Sequence, residues 1–199
     1  MKRAAIGIRV HSGWGALVAV SGASGDHAVV ERSRVVIIDP GTAGMAQPYH
    51  FAESMKVPEA EKHIAACAAA SAQMALEAMR EIVGRMRGQG FQLAGSALLL
   101  SSGRPLPRLE KILAAHPLIH TAEGEFFRDA FRRALEELRI PVIGIREREL
   151  EERARAVFGK AAPRVCAHIN QLGHSLGPPW TQDQKAASLA AAIVLAEYN

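Results

Sequence analysis

The sequence predicts an α/β fold: a mixed five-stranded sheet, three antiparallel strands and then strand–helix alternation, with helices on both faces to give three layers. Three observations carry this expectation. Two apolar runs, Ala4–Val10 and Trp14–Val20, flank a glycine-rich turn and are followed by a third β-rich run, the pattern of an antiparallel meander. Apolar strands then alternate with amphipathic helical segments, which calls for added strands covered by helices. Finally, 199 residues with 49% hydrophobic and 22% charged residues suffice for a single domain (1–199) with a substantial core.

Taken in order, Ala4–Val10 reads as a central strand and Trp14–Val20 as its hairpin partner, with Ser12, Gly13 and Gly15 crowding the turn. After the turn Ser21–Asp26, His27–Ile38 is the third strand. Its Arg32, Ser33 and Arg34 suit a sheet edge, where charge discourages unwanted pairing. Asp39–Lys56, with Pro40, Gly41, Gly44 and Pro48 and no period, reads as a long loop of the kind that forms lids or binding segments. Pro58 sits where the first turn of a helix accepts proline, and Ile64, Cys67, Ser71, Ala75, Met79, Ile82 and Met86 step by three or four as far as Arg87. Phe91–Leu100 is the fourth strand. A right-handed crossover through the long helix seats it beside the first.

Ser101–Pro105 ends that strand and Leu106–Ala115 suits a short helix. Thr121 is a candidate cap for the next helix, with Glu123 and Glu125 at its positive end and an apolar stripe of Phe126, Phe127, Ala130, Phe131, Ala134 and Leu138. Ile140–Ile145 is the last strand. Helical segments at Glu147–Phe158 and Pro163–Leu176 form an insertion at about 147–177, before Thr181 caps a final apolar helix, Gln182–Tyr198.

A net charge of +4 and a pI near 9.4 permit nucleic acid or another anionic ligand as partner without demanding one. Cys67 and Cys166 lie far apart in helical patterns and read as free thiols. The early turn at His11–Gly15 leaves no room for a secretory h-region, and no apolar run reaches bilayer length, so a cytoplasmic protein without a membrane partner is expected. No cofactor is expected, and nothing fixes the oligomeric state.

Two stretches carry a family resemblance. The opening AAIGIRVHSGWGALVAV is similar to a family that begins GIDPG and has a later glycine in its second strand. Ala186–Ile193, AASLAAAI, is similar to that family's ADALAIAI helix. With the order of elements across nearly the whole length, the chain resembles the ribonuclease-H-like superfamily, in the branch of RuvC-type Holliday-junction resolvases. That resemblance implies two divalent metals held by clustered carboxylates, because such ions need hard oxygen ligands on either side of the scissile phosphate. Here Arg9 stands at the first ligand position and Ser101 or Ser102 at the end of the fourth strand. Ala187 and Gln184 fall at the last-helix positions, with Asp183 one residue off and Lys185 adjacent. A guanidinium and an ammonium repel Mg²⁺, so two-metal nuclease activity is not expected.

Where such strands end, an α/β sheet forms its default pocket. The resemblance would collect His11, Ser101, Ser102, Arg104, His120, Glu123 and Lys185 there. Two readings stay open. In one, Arg9, Ser101, Ser102, Arg104 and Lys185 bind an anion such as nucleic acid without catalysis. In the other, His11, His120 and Glu123 form a rebuilt catalytic site acting on a phosphate-bearing or acidic small molecule. His11 also suits turn packing, and His120 with Glu123 also suits a helix-start cap. His50, in PYHFAE, is a candidate lid residue. The mixed-sign run Arg146–Arg155 reads as a salt-bridged surface.

Overall fold

In this computed structural model, which describes residues 1–23, 25–101 and 105–198, five strands form one sheet in the order β3-β2-β1-β4-β5. Strands β1 (Lys2–His11), β2 (Trp14–Ser21) and β3 (Ala28–Val36) form the expected meander; β4 (Phe91–Leu100) and β5 (Val142–Arg146) add in parallel. The crossover after β3 places β4 beside β1, with Ile8 opposite Leu98.

Side-chain alternation sorts the sheet into two cores. Ile6, Ile8, Leu17, Ala19 and Leu98 pack on helices α2 (Val57–Gly88) and α4 (His116–Glu137) through Met79, Met86, Phe127 and Phe131. On the other face, Ala5, Val18, Val20, Ala97 and Leu99 pack on α5 (Leu150–Phe158), α6 (Ala162–Gln171) and α8 (Gln182–Glu197). Helices therefore cover both faces, as expected.

The final helix sits closest to the sheet. Residues Ala186–Leu195 are all buried, as for a helix that is apolar all round. A Cβ at Gly7 would lie 1.9 Å from the Ala187 carbonyl oxygen, so only glycine lets strand and helix backbones meet here. The alanines of α8 add little apolar area individually, but they permit this approach.

Four local expectations need correction. Thr121 does not cap a helix: α4 starts five residues earlier, at His116, with Pro117 in its first turn, and Thr121 Oγ1 donates to the Pro117 carbonyl from inside the helix. Proline's fixed φ and missing N–H favour that earlier start. The segment 39–56 is not simply a loop, because Pro48–Ala52 forms a short helix, α1, that buries Ala52 beside Ala60 of α2 and Leu113. The Leu106–Ala115 helix is limited to α3 (Leu109–Leu113). The 163–176 segment is two helices, α6 and α7 (Gly173–Leu176). Among the described residues, no helix is long and apolar enough to cross a membrane.

Candidate functional site

Gly7, Arg9 and His11 alternate with Ile6 and Ile8, so they face α8. From Gly7 to Arg9 the strand advances about 6.6 Å, and one helical turn back from Ala187 covers about 6 Å and arrives at Asp183. The contact at Gly7 thus sets Asp183 opposite Arg9. The helix start is fixed locally: Thr181 and Gln184 form a reciprocal capping box, and the Asp183 amide donates to Thr181 Oγ1.

Arg9 is held from two sides. Its Nε and Nη2 donate to the two oxygens of Glu147, at 3.1 and 2.8 Å, and its Nη1 donates to Asp183 Oδ1 at 2.6 Å. Glu147 reaches this point because it directly follows β5, which runs parallel to β4. The bond to Glu147 chiefly, opposed by burial and aided by Asp183, raises the Arg9 pKa above its ordinary value, so the guanidinium stays charged. His11 Nε2 lies 3.1 Å from the same Asp183 Oδ1, and its ring stacks on Trp14 at 4.3 Å between centroids. The Arg34 guanidinium lies 3.8 Å over the Trp14 ring. The carboxylate opposite Arg9 is therefore Asp183 itself, where the resemblance pointed to Gln184 and Ala187. Glu147, which joins it, was read in sequence as part of a surface charge run. Lys185 lines a neighbouring cleft of about 210 Å³ with Glu147, Glu151, Cys166 and Asn170.

His120 and Glu123 lie elsewhere, and this corrects the expected common cleft. They belong to α4, whose Phe127 and Phe131 pack on the opposite face of the sheet from Arg9. Glu123 is buried and accepts from the Tyr49 and His50 amides in the first turn of α1, both at 3.1 Å. It is thus a cap, but for another helix. Burial of Tyr49 chiefly, and then the nearby charges of Glu123 and Asp129, raise the Tyr49 pKa. His120 pairs with His116, Nε2 to Nε2 at 3.0 Å, and both rings meet His50 edge-on. The sequence reading missed His116, although its four-residue spacing from His120 puts both on one helix face.

Ser101 lies in an exposed bend just past β4. Ser102 and Arg104 lie outside the described residues. Arg128, also missed, is buried and donates from Nε to the Leu99 carbonyl, tying α4 to the end of β4.

No family model matches the sequence, and no curated protein matches it. Solved structures do match in shape. Thermus thermophilus RuvC in complex with Holliday junction substrate is 14% identical, with 96% of this chain and 91% of that chain covered and a TM-score of 0.53. A second Thermus thermophilus RuvC structure is 13% identical over the same shares, with a TM-score of 0.50. At these identities the likeness speaks for fold alone, and with the strand order and two-sided helix cover it supports one conclusion: this chain has the ribonuclease-H-like fold in its RuvC-like form.

Proposed function

We propose that this chain is a ribonuclease-H-like domain that binds nucleic acid without cutting it by two-metal chemistry. The observation that carries this reading is the Arg9 clamp. Both carboxylates that meet at the end of β1 are already bonded to a guanidinium. A divalent ion there would have to displace a permanent positive charge held by three hydrogen bonds. Arg9 then serves the fold, and contact with phosphate falls to Lys185, Ser101, Ser102 and Arg104. The basic pI and the RuvC structure bound to Holliday junction substrate support nucleic acid as the anion.

The test is anisotropy with labelled linear and four-way-junction DNA. Affinity falls at least tenfold between roughly 50 and 200 mM salt, since each neutralised phosphate releases counterions. No product appears with Mg²⁺. Salt-independent binding, or Mg²⁺-dependent cleavage abolished by Asp183→Asn, refutes the proposal.

One observation favours a second reading, an enzyme acting on a phosphate-bearing or acidic small molecule: Asp183 orients His11, a pairing suited to proton transfer. It predicts hydrolysis of a simple phosphate ester that disappears in His11→Asn. Its absence from the unaltered protein removes this reading.

A further inference from the structure

The structure assigns a second site, independent of the DNA-binding proposal: a three-histidine centre for a first-row transition ion, Zn²⁺ foremost, formed by His50, His116 and His120. One ligand nitrogen from each ring lies within 4.8 Å of the other two. His116 and His120 are one helical turn apart on α4, and their Nε2 atoms converge to 3.0 Å. Two imidazole nitrogens on a tetrahedral ion with bonds of about 2.0–2.1 Å would stand about 3.3 Å apart, so only a small opening of this pair is required.

The third ligand comes from α1, and its orientation is the independent observation. His50 Nδ1 is buried and 3.1 Å from Glu123 Oε1, yet it makes no aligned hydrogen bond. That places the Nδ1 side against a carboxylate and leaves Nε2 for the cluster. A small rotation of the ring aligns Nδ1–H with that carboxylate, and a carboxylate so placed behind a ligating imidazole fixes its tautomer and raises its basicity, the usual support for a metal-bound histidine. Glu123 is itself held by the Tyr49 and His50 amides, so the support is rigid. His116 and His120 are exposed, which leaves the fourth position open to solvent. Three neutral nitrogens favour Zn²⁺, Co²⁺ or Ni²⁺ over Mg²⁺, which prefers oxygen.

Calorimetric titration of the full chain with Zn²⁺ at neutral pH tests this, with Co²⁺ absorption reporting tetrahedral geometry. One ion binds per chain. His50→Asn, His116→Asn and His120→Asn each weaken binding at least 100-fold, and His174→Asn leaves it unchanged. Glu123→Gln weakens it 10- to 100-fold, since glutamine retains an oxygen for the two amides but loses the charge behind His50. The exposed His116 and His120 variants keep the unfolding transition of the parent, separating lost ligation from lost fold. Absence of saturable binding overturns the assignment. So does binding that survives His50→Asn, which would reduce the site to a two-histidine surface pair.

Discussion

The two faces of the sheet treat polar side chains in opposite ways. On the α8 face, Arg9, Glu147 and Asp183 satisfy one another beside a helix pressed against strand backbone at Gly7. Under the start of α4, three histidines gather where the tips of two helices meet, and two of them remain open to solvent. The difference follows from packing. Close approach of small residues leaves the long guanidinium only partly open to water, so nearby acids take up most of its donors. Helix tips meeting at the surface impose no such requirement, and their ring nitrogens stay available to a ligand.

The sharpest way to break this contrast is Gly7→Ala. Its Cβ would collide with the Ala187 carbonyl, α8 would have to retreat, and stability should fall by about 3 kcal/mol in urea unfolding. An unchanged midpoint would show that the helix does not depend on this contact. Next in size is Arg9→Met, which removes the cation between Glu147 and Asp183 and leaves Asp183 with His11 alone. Because these side chains are partly exposed, the cost is about 1–2 kcal/mol, and it should shrink in high salt. No loss at low salt would remove the clamp's structural role.

A buried histidine gives a finer comparison. His27 is closed in beside Phe158, and burial chiefly, with repulsion from His168 adding and Asp26 opposing, lowers its pKa. The unfolded chain therefore binds its proton first, at about pH 6.5, and stability falls as pH drops through that value. Between pH 7 and 6 this amounts to at most about 0.7 kcal/mol, and His27→Gln should flatten it. An equal slope in the variant contradicts this. The smallest effect is expected on the open side: without metal, His116→Ala and His120→Ala should each change stability by under about 0.5 kcal/mol. A larger loss would mean that the cluster is part of the packing.

The sequence was informative where one chemical constraint acted alone. Alternating apolar strands, the Thr181 cap and the alanine-rich final helix are local patterns, and they placed the sheet and α8 correctly. The start of α4 was missed because Thr121 and Pro117 both offer a beginning and only packing chooses between them. The clamp was half legible. Arg9 stood out against the resemblance, but Glu147 lay in a charged run whose members look alike until β5 directs one of them inward. His116 carried a visible four-residue spacing from His120; what could not be seen was that α1 would deliver His50 to the same place.

The most direct test is thermal unfolding with millimolar Mg²⁺ for the unaltered chain and for Arg9→Asp. Aspartate at that position would place three carboxylates together, so the variant should be less stable and should regain stability as Mg²⁺ is added. The unaltered chain should show no Mg²⁺-dependent shift. A shift in the unaltered chain that disappears in Asp183→Asn would contradict the account, because it would mean that magnesium, and not Arg9, is the cation those carboxylates hold.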